Sequence, residues 1–218
     1  MSPLMIGMQP RTFEQGAEPM PPTKVRILQA ARALFFEHGF SAVSTDTLSR
    51  TAGVSKASIY KYFGDMHGVL AAVVGHEGNS LSIDVVPLAD TPDAFWQALI
   101  TYGTNLLVLL NQDFCIQLDR MLHEEARQHP ELIKIFYDAA YGRGHREITE
   151  LIQHGQRKGF IRKLQPADAL ADNLASMWNG LAFTRTRLGL IDRPYENPAA
   201  WARQCVETLF PGDVGQRG

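Results

Sequence analysis

Cysteine is scarce in this chain: there are two among 218 residues, Cys115 and Cys205. Without CxxC spacing they make no disulfide framework and no zinc clasp, and they fit a reducing, cytoplasmic compartment. Long apolar runs are also lacking. The strongest, Leu106 to Leu110, is far too short to cross a bilayer, so no membrane partner is expected. The first residues carry no basic stretch, and Gln9, Pro10 and Arg11 interrupt their short apolar one, so no signal peptide is expected. Neither sign of charge dominates. Lys and Arg number 21 against 23 Asp and Glu, a net charge of −2, so the whole-chain balance gives no hint of nucleic acid. Alternating apolar and polar positions joined by turn dipeptides are missing, which argues against strands. The chain has no Gly-rich phosphate loop and no G-x-S-x-G elbow. His123 opens HEEARQH, but the position four residues on is Arg127, so the helical zinc motif fails. No metal, cofactor or catalytic centre is expected.

What is present is a globular balance, with 45% hydrophobic and 20% charged residues, enough to bury a core without staples. Five of the twelve prolines lie in the first 22 residues and none lies between 23 and 86. Residues 1–22 therefore read as a flexible arm. Beyond them, spacings of three and four mark helices. Residues 24–38 align Ile27, Leu28, Ala31, Leu34 and Phe35. Residues 93–111 align Phe95, Leu99, Tyr102, Leu106 and Leu110. Residues 114–128 carry Leu118, Met121 and Leu122, and residues 167–188 carry Leu170, Leu174, Met177, Trp178 and Leu181. A last helix is expected over about 197–210. Gly142 and Gly144 leave 131–158 open to one kinked helix or two shorter ones, and 77–91 reads as a linker. The expected fold class is all-α.

The informative stretch is STDTLSRTAGVSKASIYKYF, residues 44–63. Ser44 suits the N-cap of a helix that turns Leu48 and Ala52 inward, Gly53 ends it, and Ser55 caps a second helix, 56–63. Two helices joined by a short Gly-containing turn make a helix-turn-helix, whose second helix fits the major groove of DNA. In that helix Ile59 and Phe63 face inward and leave Lys56, Ala57, Ser58, Tyr60, Lys61 and Tyr62 outside. Lysines, serine and tyrosine hydroxyls together suit phosphate and base edges. Residues 24–63 hold six basic and two acidic groups, net +4, and the remainder holds 15 basic and 21 acidic groups, net −6. A small basic module on an acidic body is an electrostatic footprint for nucleic acid.

The run GFSAVSTDTLSRTAGVSKASIYKYF, Gly39 to Phe63, resembles the N-terminal signature of the TetR/AcrR family of bacterial regulators. Gly39, Phe40, Ser44, Thr45, Leu48, Ala52, Gly53, Val54, Ser55, Ile59, Tyr60, Tyr62 and Phe63 carry the likeness. Arg120 to Leu132 resembles the R-x-x-x-x-E-A-x-x-x-P-E-L core of the AefR-like subgroup. Two positions depart from the pattern. Met66 and His67 stand where the family usually has a Lys-acid pair whose lysine holds a phosphate, and Ser49 stands where it usually has alanine.

The resemblance implies three segments: the arm 1–22, a helix-turn-helix domain 23–75, and a helical effector and dimerisation domain 76–218. It implies operator DNA as a partner, with Thr45, Ser55, Lys56, Ala57, Ser58, Tyr60, Lys61, Tyr62 and His67 as contacts. It implies a small apolar or aromatic effector among Trp96, Tyr102, Met121, Tyr137, Tyr141, Trp178 and Phe183. It also implies a homodimer through Leu170, Leu174, Met177, Leu181, Trp201, Cys205 and Leu209. The aromatic candidates Trp96, Tyr102, Tyr137, Tyr141, Trp178 and Phe183 also have a plainer reading as ordinary core residues. From another functional class, a helical ligand-binding or protein-interaction module with a degenerate DNA-binding domain fits the Met66 and His67 substitutions.

Overall fold

A computed structural model of the chain describes residues 20–81, 83 and 86–212. Among the described residues every regular element is helical. Of the expected arm, 1–22, all but the last three residues lie outside the described set. Met20 packs against the core, and helix α1 (Pro22–His38) already begins at Pro22, as suits a proline in a first turn. A 3-10 turn, Phe40–Ala42, leads into α2 (Thr45–Ala52), α3 (Lys56–Phe63) and α4 (Met66–Ser80). The expected linker at 77–91 is therefore helical through residue 80. Then come α5 (Pro92–Leu110), α6 (Asp113–Glu125), α7 (Pro130–Ala139), α8 (Tyr141–Lys158), α9 (Ala167–Arg187) and α10 (Pro198–Leu209). The open question at 131–158 resolves into two helices that part at Ala140.

The chain forms two compact units. Among the described residues, one takes 20–81 together with 117–140, and the other takes 83, 86–116 and 141–212. The division differs from a single boundary near residue 75. Amphipathicity says that a face is buried, not against what, and here Leu118, Met121, Leu122, Leu132 and Phe136 join the core of the N-terminal helices. That core centres on Ile27, Leu28, Phe35, Leu48, Ile59 and Leu70. It also contains a charge. Glu77 of α4 is wholly buried and accepts from Arg32 of α1, with Nε–Oε1 2.7 Å and Nη2–Oε2 3.4 Å. The Arg32 guanidinium lies 5.1 Å from the Phe36 ring centroid. A buried carboxylate is tolerated only with such a partner.

In the second unit α10 packs on α5 and α9, and α8 packs on α9. Trp178 is fully buried there, its ring against Gly103 of α5. Helix α9 is broken at Gly180, whose φ of 54° and ψ of −173° lie outside the helical region and are open to glycine alone. The break frees carbonyls upstream. Tyr195 donates its hydroxyl to the Asn179 oxygen at 2.8 Å, and Trp201 Nε1 donates to that of Trp178 at 3.0 Å. Leu170, Leu174 and Cys205, expected at a dimer surface, are buried inside the protomer. Helix α9 meets α8, α10 and α5 within the chain, and α10 meets α5, so a charge placed at Leu174 would attack folding. Burial pushes the Cys205 thiol up to about 11, so it stays protonated and unreactive near neutrality.

A Cβ at Gly103 would sit 2.5 Å from two Trp178 ring carbons. Gly103→Ala should therefore lower the stability of the full chain by about 1–3 kcal/mol, read from its urea midpoint. An unchanged midpoint would show that the indole does not need this space.

Candidate nucleic-acid interface

The helix-turn-helix assembles from local chemistry. Ser44 Oγ accepts from the Thr47 amide at 3.1 Å and opens α2. Gly53 closes it in the left-handed region, φ 62° and ψ 42°, the conformation glycine reaches most cheaply. Its amide and that of Val54 donate back to Arg50 O and Ser49 O, at 3.2 and 3.1 Å. Ser49 then donates its hydroxyl to Val54 O at 2.6 Å. The residue that departs from the family's alanine thus ties the turn from within, a role its position in the sequence did not disclose. Ser55 Oγ accepts from the Ser58 amide at 3.2 Å and starts α3.

Only one residue of α3, Ile59, is fully buried. Lys56, Ala57, Tyr60 and Lys61 are exposed, Tyr60 at 49%. Thr45 and Ser58 are half-buried, and the Ser58 hydroxyl lies 3.0 Å from that of Ser55. Ser55 itself is exposed. Tyr62, expected outside, is half-buried against the core, because three residues on from Ile59 it flanks the buried side of the helix opposite Phe63. His67 is exposed at the start of α4 but does not stand free. Its ring lies 4.3 Å from the His129 ring and 5.3 Å from that of Phe40, centroid to centroid.

The cations of this module are not equivalent. Arg32 is committed to Glu77, as described. Lys56 pairs with Asp46 of α2 at 2.7 Å. Lys24 lies 5.7 Å from the Phe63 ring centroid and Lys61 lies 5.9 Å from that of Tyr62. The exposed face still combines lysine, tyrosine and small side chains on a rigid, capped helix, which suits phosphate and base contact.

The residues expected around an effector are divided between the two units. Met121 is buried in the core of the first unit, and Tyr137, also of that unit, is 57% exposed. Trp96, Tyr102, Trp178 and Phe183 are buried in the second unit, where Tyr141 is exposed. Tyr102 and Trp178 have ring centroids 6.1 Å apart, and the Tyr102 hydroxyl donates to Glu147 Oε2 at 2.8 Å. Burial, then the nearby Glu147 carboxylate, raise the Tyr102 pKa, so this phenol remains a donor. Trp96 packs on Phe95 and Phe210. Of the expected dimer residues, Leu181 is 70% and Trp201 36% exposed, and Met177 and Leu209 are half-buried. Leu181 and Trp201 line an open groove of about 620 Å³ with Gly180, Arg185, Tyr195 and Gln204.

With this geometry in place, comparison with known proteins is direct. The profile of bacterial regulatory proteins of the tetR family matches residues 27–73, and that of the AefR-like transcriptional repressor C-terminal domain matches 97–210. The chain is 36% identical to the HTH-type transcriptional regulator YdeS of Bacillus subtilis, over 48% of this chain and 55% of that protein. It is 26% identical to an HTH-type transcriptional repressor of Streptomyces coelicolor, over 72% and 77% of the two. The match to the first two curated relatives spans only about half of their length. A crystal structure of a TetR transcriptional regulator from Agrobacterium tumefaciens superposes with a TM-score of 0.77 at 25% identity, covering 89% of this chain and 97% of that one.

If α3 meets the DNA backbone, Lys61→Ala should weaken binding to all duplexes alike and reduce the log–log salt slope by about 0.9. Fluorescence anisotropy across a salt series measures this. An unchanged slope would leave Lys61 a merely solvated side chain.

Proposed function

This chain belongs to the TetR family of bacterial regulatory proteins, and on that premise we propose that it is a DNA-binding transcriptional repressor. It grips operator DNA as a homodimer and lets go when a small apolar or aromatic molecule binds. The observation that carries this reading is the outer face of α3, where Lys56, Ala57, Tyr60 and Lys61 stand exposed on a helix held by Ile59 and the Ser55 cap. A second reading, a helical ligand-binding or interaction module with a lapsed reader, draws on Met66 and on the contact of His67 with His129. A salt-dependent mobility shift on the DNA upstream of the protein's own gene separates the two. The first gives a retarded band that salt weakens, and the second gives none.

Division of labour follows the expected segments, with reading in 23–75 and effector binding and dimerisation in 76–218. The effector site is assigned to the aromatic cluster of the second unit, Trp96, Tyr102, Trp178 and Phe183, with the Tyr102 hydroxyl and Glu147 as polar anchors. Met121 and Tyr137 lie in the first unit. Such a molecule releases DNA only by binding the DNA-incompetent state more tightly. The work takes place in the cytoplasm, where operator DNA is. No helix among the described residues is long and apolar enough to cross a membrane.

The dimer is assigned to the outward side of α9 and α10, where Leu181 and Trp201 flank the open groove. Leu181→Glu should then give monomers of unchanged helicity in sedimentation, with weakened DNA binding. A dimer of unchanged mass would move the interface elsewhere.

A further inference from the structure

The turn that presents α3 also sets a carboxylate against its first lysine. Lys56 occupies the opening position of α3, where free amide groups and the helix dipole make a positive end. A cation is misplaced there unless an anion stands close. Asp46 of α2 supplies one, with its Oδ1 2.7 Å from Lys56 Nζ. The hydrogen bond to Asp46, then its charge, raise the Lys56 pKa, so the ammonium is fixed. Both side chains are exposed, Lys56 at 50% and Asp46 at 69%, so the pair adds little to the stability of the fold. Nor is Asp46 needed to cap α2, since the Ser44 hydroxyl already does so. The packing between α2 and α3 rests on buried Leu48, Ala52 and Ile59. Asp46 lies in the first turn of α2, where an acid meets the helix dipole, a small contribution for an exposed side chain, and on the reading face the same carboxylate also acts on what that face binds.

We propose that Asp46 is a built-in phosphate surrogate: its carboxylate occupies Lys56 in the free protein, and a DNA phosphate must displace it before Lys56 can bind. The proposal rests on the reading of α3 as the DNA-contacting helix and names a regulator of its affinity. Its consequence lies in the ion balance. A phosphate neutralised by a free lysine sheds its condensed cation. When Lys56 transfers from Asp46 to a phosphate, the freed carboxylate takes up a cation in turn, and the exchange releases almost none. Lys56 thus adds little to the salt dependence of binding, whereas Lys61, which lies over the Tyr62 ring, adds its full share. The effect is uniform over sequence, because phosphates carry no base information. It keeps the grip weak enough for an effector whose coupling spans roughly 5- to 150-fold to break it.

The test is anisotropy of a labelled duplex of arbitrary sequence titrated with the full chain over a salt series. Asp46→Asn should tighten binding and steepen the log–log slope by about 0.9, one phosphate's worth. Asp46→Glu retains a carboxylate and should keep the wild-type slope. In the Asp46→Asn background Lys56→Ala should remove the whole gain in affinity and slope. A gain that persists when Lys56 is absent overturns the surrogate role. Circular dichroism checks that each variant keeps its helicity. Wild-type binding with an unchanged Asp46→Asn slope, or with weaker Asp46→Asn binding, overturns the surrogate role alone. Wild-type chain that binds no duplex at any salt overturns the functional reading and this inference with it.

Discussion

Helix α3 has eight residues, a length of about 12 Å, and a helix that short does not persist in water by itself. The first unit is organised around that constraint. Ser55 supplies the missing acceptor at its start, and the Gly53 turn, tied by the Ser49 hydroxyl, fixes the direction in which it leaves α2. Ile59 anchors it in a core to which α1, α2, α4, α6 and α7 all contribute. Below that core, Arg32 and buried Glu77 link α1 to α4. The Glu77 carboxylate is held in a dry place against the Arg32 guanidinium, so the pair fixes how these two helices meet. Stability is thus spent on the buried side of α3, and the exposed side is left to chemistry.

The exposed side is weaker electrostatically than its composition suggests. Residues 24–63 carry a formal +4, yet Arg32 is taken by Glu77 and Lys56 by Asp46. The cations facing solvent without a carboxylate against them are fewer than the basic residues of the module. Specific recognition benefits from such moderation. Backbone attraction holds every sequence equally, and only contacts to base edges tell one from another.

The helix-turn-helix was legible because its signals are local. Caps, a left-handed glycine and an i, i+4 apolar pair all lie within twenty consecutive residues. The same physics explains what was not legible. The Ser49 to Val54 bond requires a turn geometry that composition does not encode. Apolar spacing runs through Gly180 without interruption, so the break in α9 left no mark, although Tyr195 and Trp201 serve the carbonyls it frees. Met121 and Leu174 carried the periodicity of buried faces, and periodicity names no neighbour. Met121 went to the reader's core, and Leu174 to the interior of its own unit. Nor does aromatic size tell which glycine a ring packs on, as Trp178 does over Gly103.

The central claim is that α3 reads duplex DNA from a two-fold assembly. Selection of bound duplexes from a random-sequence pool with the full chain tests it most directly. The account predicts a two-fold symmetric motif with half-sites one helical turn, about 34–36 Å, or a multiple of it apart. Recovery of an asymmetric motif, or of a pool no different from its input, would contradict it.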